Sequence, residues 1–377
     1  MREALIAARA RTLALADAYA QSLAGSGMRV PYRATLNPPL WEWGHVGWFQ
    51  EYWIGRNRQR ASGIACDPEH QRAASLLPHA DALYDSGKVP HKSRWELPLP
   101  GPQATREYLA ATHEQTLELL DRLPADASDG ELYFFRLAAM HEEMHAEAAM
   151  YMARELKVPV PAVQAQAPPF SAGGAALRVP AQTFKVGYAG PGFAFDNELG
   201  PHPVRLDSFE IDAQPVSWSR FMPFVRAGGY RQREWWSDEG WAWLQGADFA
   251  PPAAGSASEA AIHLNAHEAD AWCRWSGRRL PTEAEWECAA LTMPGFAWGS
   301  VWEWTASPFL PYPGFNPHPY RDYSAPWFGS RRALRGACEA TSRSLAHPKY
   351  RNFFEPHRRD VFAGFRTCAA SAGHFRL

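Results

Sequence analysis

Paired cysteine is missing from this sequence. Cys66, Cys273, Cys288, Cys338 and Cys368 are odd in number and scattered, with no CxxC pair. That excludes a secreted disulfide framework and a zinc ribbon, and makes a reducing cytoplasm the default compartment. Charge of one sign is also missing, since the formal net charge is −2 with 21% charged residues. Without a basic field, neither nucleic acid nor an anionic membrane is an expected partner. Small molecules or another protein remain. No apolar run reaches membrane-spanning length, and the N-terminal Met1–Arg9 stretch is too broken by charge for a signal-peptide core. No internal repeat is visible.

What is present is a chain of 377 residues, 46% hydrophobic, with 17 tryptophans. That length suits two domains. Aromatic-walled pockets or a large irregular core both account for the tryptophans. Residues 1–157 read as helices. Apolar positions recur at helical spacing over 2–23 and again over 104–123. Asn37-Pro38-Pro39 reads as an N-cap region opening a helix through about Arg58. Ser128 or Asp129 is placed to cap a last helix, Glu131 to Leu156, which is free of Gly and Pro after its start. Four such helices make a bundle. Residues 158–182, rich in Pro, Ala, Gly and Gln, read as a linker. Residues 183–377 alternate short β-like runs (from Phe184, Val204 and Phe209) with turns, and carry one clear helix over Asn265–Ser276. This second domain is α+β with little regular structure.

The chemistry starts with His141-Glu142-Glu143-Met144-His145. Residues four apart share a helical face, so both imidazoles reach one metal. Phe134, Leu137, Ala138, Met144 and Ala148 turn that face inward. His45, in Trp41-Glu-Trp-Gly-His-Val-Gly-Trp-Phe, lies on a second inward-facing helix and completes a three-histidine set. The plainer alternative is two surface histidines and one satisfied core histidine. The H-E-x-x-H pattern of zinc proteases also fits these letters, but neither the metzincin Gly nor its third His follows, and Glu147 is too near for the usual distant glutamate. Three neutral histidines suit iron(II) and leave positions open for oxygen and substrate. In the second domain, Arg279, Glu283, Glu285 and Trp286 read as structural, holding loops by buried ion pairs and packing.

These residues, together with Phe195-Asp-Asn-Glu-Leu-Gly-Pro-His-Pro-Val, Gly277-Arg-Arg-Leu-Pro-Thr-Glu-Ala-Glu-Trp-Glu and Val301-Trp-Glu-Trp-Thr, carry a resemblance covering nearly the whole chain. The sequence resembles a DinB-like four-helix bundle fused to a domain similar to the formylglycine-generating enzyme (C-type-lectin-like). That is the architecture of the iron-dependent sulfoxide synthases of ergothioneine biosynthesis and of the related selenoneine synthases. The resemblance implies an Fe(II) site at His45, His141 and His145. It also implies C-terminal loops that bind hercynine (trimethylhistidine) and a chalcogen donor, with O2 as co-substrate.

Departures from the sulfoxide synthases bear on the donor. Met144 stands where Gln often helps to hold hercynine. The family's Arg-Asn-Trp-Asp is here Arg351-Asn352-Phe353-Phe354. Asn352 is kept, Phe353 becomes the cation-facing aromatic, and Phe354 replaces the Asp that helps bind γ-glutamylcysteine. An apolar residue cannot pair with an ammonium group. The segment Leu83–Pro100, with Arg94 as a loosely aligned donor contact, resembles selenoneine synthases, which join 1-seleno-glucose to hercynine. The stretch between Gly299 and Val301 is shorter than in most relatives. Tyr320 is the implied proton donor, with Tyr323 second and Tyr312 third; packing tyrosines on a loop are the alternative. The leading expectation is C–Se bond formation between a selenosugar and the imidazole carbon of hercynine. The alternative is C–S bond formation with a thiol such as cysteine or γ-glutamylcysteine. A formylglycine-generating oxidase would need a cysteine pair that Cys338 and Cys368 do not convincingly supply. A binding module with a relic metal site is the non-enzymatic rival.

Overall fold

A computed structural model describes residues 1–161, 175–246 and 251–370. Most of the expected linker, residues 162–174, lies outside the described residues. The chain divides into two compact units.

The first unit is a four-helix bundle of α1 (Arg2–Ser22), α2 (Pro39–Gln50), α4 (Pro102–Asp121) and α5 (Asp129–Leu156), with a short α3 (Ala80–Tyr84) before α4. α1 packs on α5, and α2 packs on both α4 and α5. Two later segments, Pro191–Phe193 and Pro317–Asp322, belong to this same unit. α5 starts where the sequence placed it. The Ser128 side chain accepts from the Glu131 N–H, and Glu131 reaches back to the Ser128 N–H. This capping box satisfies two donors that a helix start leaves orphaned.

α2 departs from expectation in two ways. Asn37 does not cap it: Pro38 occupies the N-cap position without a side-chain bond, and the Asn37 amide donates to Glu42 instead. The helix also stops early, passing at Glu51–Gly55 into one π-helical turn. Such turns concentrate at functional sites. This one puts Glu51 fully inside, where its carboxylate accepts from Ser75 Oγ, Leu76 N–H and Tyr108 Oη.

α5 is buried on more sides than its apolar stripe suggested. Glu142, Glu143 and Glu147 are buried, whereas Met144 and Ala148 are only half-buried. Arg9 and Arg11 of α1 pair with Glu142 and Glu143 at 2.7 Å each. Charge is thus paired where the sequence showed only a charged face.

The second unit contains the remaining elements and is α+β. Its first sheet has the order β1 (Leu177–Val179), β4 (Phe209–Ile211), β10 (Cys368–Ala369), β5 (Arg278–Arg279); β1 falls inside the segment read as linker. β2 (Gln182–Val186) and β3 (His202–Leu206) form a separate hairpin in the register Phe184 to Val204. The third sheet runs β8 (Asn352–Phe354), β7 (Arg332–Gly336), β6 (Trp302–Pro308), β9 (Ala363–Gly364), with β9 parallel to β6. Helices α6 (Trp218–Arg226), α7 (Asp238–Gly246), α8 (Ala266–Ser276) and α9 (Glu283–Thr292) accompany them.

So much irregular backbone leaves carbonyls without ladder partners, and buried arginines take them up. Arg366, fully buried, donates to the carbonyls of Asp212, Ala213 and Ala297 while pairing with Glu303. Arg351 does the same for Asn197 and Leu310 while pairing with Glu283. Arg279 pairs with Glu285, and Trp286 Nε1 donates to Glu303. The structural reading of these charged motifs therefore holds. All five cysteines are free and buried. No helix among the described residues is long and apolar enough to cross a membrane.

Candidate metal centre

His45 is held by its own helix and by α3. Gly44 precedes it and Gly47 follows two positions later, and Gly44 has the Tyr84 ring against it where a Cβ would stand. That close approach lets the Tyr84 carbonyl accept from His45 Nδ1 at 2.7 Å. Trp41 stacks on the imidazole at 4.8 Å with an interplanar angle of 8°, and Trp48 lies on it at 5.6 Å. His141 and His145 come from α5, one turn apart. Phe49 stacks on His141 at 3.5 Å. His145, the most open of the three, has its Nδ1 at 2.5 Å from Glu42 Oε2.

One ring nitrogen from each histidine lies within 4.8 Å of the other two, and the cluster includes no other residue among those described. The two Nε2 atoms of His45 and His141 are 3.2 Å apart. Nitrogens bound at about 2.1 Å to one tetrahedral or octahedral ion stand roughly 3.0–3.4 Å apart, so this spacing fits a shared cation. The tautomers fit as well. A carbonyl only accepts, so His45 Nδ1 carries the proton and Nε2 the lone pair. The Glu42 carboxylate likewise puts a proton on His145 Nδ1.

Electrostatics favour neutral His45 and His141. Burial, then the neighbouring His145, lowers the His45 pKa to about 3, against the pull of the Tyr84 carbonyl. Burial, then His145 and His45, puts His141 well below the usual imidazole range. Burial raises the Glu42 carboxyl, but His145, His45 and Asn37 together outweigh it and bring it down to about 2. The site thus offers the imidazole lone pairs of His45 and His141, with His145 beside them and one ionised carboxylate behind it, a donor set suited to a divalent transition metal. Glu142, the general base of the zinc-protease pattern, turns instead to Arg9, with Nε at 2.7 Å.

Of the other expected residues, Tyr320 joins the histidines. It lies in the Pro317–Asp322 segment of the bundle unit, T-shaped to Phe49 at 4.9 Å and to His141 at 5.9 Å. Burial, then Asp322, raises its phenol pKa, so the hydroxyl keeps its proton at neutral pH. His318 anchors the segment, with Nδ1 at 3.0 Å from Tyr133 Oη of α5. Arg94 stacks on Trp41 at 3.7 Å and donates to Asn37 Oδ1 at 2.9 Å. Met144 is half-buried beside the ligand pair.

Tyr323, Tyr312, Asn352, Phe353 and Phe354 belong to the second unit. Tyr323 shares a hydrogen bond with Tyr350, 3.0 Å between oxygens, and packs on Phe195. Tyr312 lies under the Arg351 guanidinium at 3.9 Å. Phe353 stacks on Phe309 at 4.1 Å, the Asn352 side chain accepts from the Phe353 N–H, and Phe354 faces Arg358 at 5.4 Å. Sequence reasoning missed Glu42, Asn37 and Tyr84. Glu42 was legible in principle: it precedes His45 by three residues and so shares its helical face.

Comparison with known proteins agrees with this layout. Residues 4–153 match the DinB superfamily, and residues 163–300 match the sulfatase-modifying factor enzyme 1-like domain. The formylglycine-generating enzyme of Streptomyces coelicolor is 32% identical, but over only 33% of this chain and 50% of its own. The hercynine oxygenase of Mycolicibacterium smegmatis is 31% identical over 97% of both chains. That of Mycolicibacterium thermoresistibile is 32% identical over 96% of this chain and 93% of its own. Likeness along both domains, rather than along one, decides the matter, and the chain belongs to the hercynine oxygenase family.

Proposed function

We propose that this protein is a non-haem iron(II), O2-dependent enzyme acting on hercynine, and that it joins a selenosugar, 1-seleno-glucose, to the imidazole carbon. The observation that carries the iron reading is the three-histidine cluster, with two of its tautomers fixed by Tyr84 and Glu42. The hercynine reading rests on the family.

Iron(II) held by His45, His141 and His145 would supply the means to activate oxygen and to bind the chalcogen in the same coordination sphere. The chain's own residues do the rest. The Trp41 and Trp48 rings wall His45, and the Phe49 ring walls His141, with apolar surface. Tyr320, protonated and beside His141, is the proposed source of a proton during turnover, a role its proximity to His141 supports. Phe353 offers an aromatic face for the trimethylammonium group, with Asn352 beside it.

Support for the sugar donor comes from Phe354. A γ-glutamylcysteine site must satisfy two carboxylates and an ammonium, which requires a carboxylate as well as cations. Phe354 provides none, and the cation it faces is the chain's own Arg358. Aromatic faces suit a hexose. A selenol is also more acidic than a thiol, so more of it is ionised at neutral pH and ready to ligate iron.

The test is anaerobic Fe(II) reconstitution followed by hercynine, O2 and a panel of donors, with products read by mass spectrometry. The selenosugar should react, its thiosugar analogue more slowly, and γ-glutamylcysteine not at all. Turnover with γ-glutamylcysteine and none with the sugars would replace the C–Se reading by C–S chemistry.

A further inference from the structure

We propose that Glu42 is the positioning residue of the metal centre, and that Asn37 and Arg94 hold it there. The geometry is a closed brace within the bundle unit. Glu42 Oε2 takes the Nδ1–H of His145, and its other oxygen takes the Asn37 amide. Asn37 Oδ1 in turn takes Arg94 Nη1. The Arg94 guanidinium lies on Trp41, and Trp41 lies on His45. The brace therefore starts at one candidate ligand and ends at another.

Each link has a physical job. His145 is the ligand with the most freedom: its side chain is 22% exposed, against 1–2% residue exposure for His141 and His45. An untethered imidazole can flip about its outer torsion and present Nδ1 instead of Nε2. A carboxylate on Nδ1–H stops the flip, fixes the tautomer and makes Nε2 a stronger donor. Glu42 also puts one negative charge beside a site built for a dication.

A carboxylate buried to 4% exposure needs its second oxygen occupied, and Asn37 does this. Asn37 can serve only if its amide is oriented with nitrogen toward Glu42. Arg94, which has donors alone, sets that orientation by claiming Oδ1. The planar guanidinium suits this place because it stacks on an indole while donating in its plane. Arg94 thereby acquires a role other than the donor contact expected from the sequence, and Asn37 acquires one in place of a helix cap.

The inference rests on the reading of His45, His141 and His145 as metal ligands, and the test separates the two. The full-length metal-free protein is titrated with Co(II), whose d–d bands report affinity and ligand geometry without turnover. Glu42→Ala should weaken binding about 10–100-fold and shift the bands, and Glu42→Asp should recover part of both. Asn37→Ala and Arg94→Met should each weaken binding several-fold, and neither should add its full loss in the Glu42→Ala background. Thermal melts of the metal-free variants check folding; should Glu42→Ala not fold, the Asn37 and Arg94 variants carry the test. Wild-type affinity and spectrum in the folded Glu42 variant, or in both of the other two, overturns the brace while leaving the metal reading intact. A wild-type protein that takes up no Co(II) overturns both.

Discussion

Gly44→Ala adds one methyl group one residue before His45, and its effect can be worked out in advance. Inside a helix the change to alanine gains about 0.5–1 kcal/mol, because glycine loses more backbone entropy on folding. At Gly44 that gain meets a wall. The new Cβ would overlap Cζ, Cε1 and Oη of Tyr84, well inside contact distance. Tyr84 is itself fully buried and has little room to retreat. Overpacking of this kind costs about 1–3 kcal/mol, so a net loss of about 1–2 kcal/mol is expected. Gly47, one turn further along, is the control. There the added Cβ meets the Tyr108 ring at 3.2 Å and Leu109 at 3.5 Å, a misfit that small shifts relieve. Gly47→Ala should fall within about 0.5 kcal/mol of wild type. Hydrogen exchange in α2 and urea denaturation of the metal-free protein measure the two. Because the Tyr84 carbonyl orients His45, Gly44→Ala should also weaken metal uptake more than Gly47→Ala. A Gly44 variant as stable as the Gly47 variant, with equal metal uptake, would refute the argument that tight Tyr84 packing positions the ligand.

Alanine at His45, His141 or His145 should abolish iron retention, read by metal analysis after reconstitution; full occupancy in the His45 variant would remove it from the ligand set. Tyr320→Phe should leave hercynine binding intact and change kcat or product distribution, and a variant indistinguishable from wild type would clear Tyr320 of the proton. Phe353→Ala should raise the hercynine KM well above any effect on the donor KM, and no change would move the cation site elsewhere. Glu198 gives a pH prediction: burial outweighs the Phe195 N–H and the charges of Arg335 and Arg351, lifting its pKa to about 8. Between about 4.5 and 8 the folded state then holds a proton that the unfolded state has released, so its share of stability is complete below that window and is lost as pH rises through it. Glu198→Gln should flatten this part of the stability profile, and an unchanged slope would locate it in another group.

The bundle was legible because its signals are local. Helical spacing gave α1, α4 and α5, and Ser128 three residues before Glu131 gave the start of α5. The His141 and His145 pair followed from that helix alone. His45 was found because it sits among tryptophans on a second inward face. What escaped was set by partners distant in sequence. Glu142 and Glu143 are buried only because Arg9 and Arg11, more than 130 positions earlier, come to meet them. The π turn at Glu51–Gly55 has no period to betray it. Asn37 passed for a cap, since Asn before Pro-Pro reads that way until Glu42 claims its amide. Tyr320 and Tyr323 are three residues apart and could not be ranked by spacing; they belong to different compact units, and Tyr320 alone shares one with the histidines.

That last arrangement puts a clock into biosynthesis. His45, His141 and His145 are all translated before residue 146, while Tyr320 follows roughly 175 residues later. At ~5–20 residues per second, the ribosome completes the ligand-bearing helices about 10–35 seconds before the tyrosine is made. A nascent bundle thus has time to bring its three histidines together while Tyr320 does not yet exist.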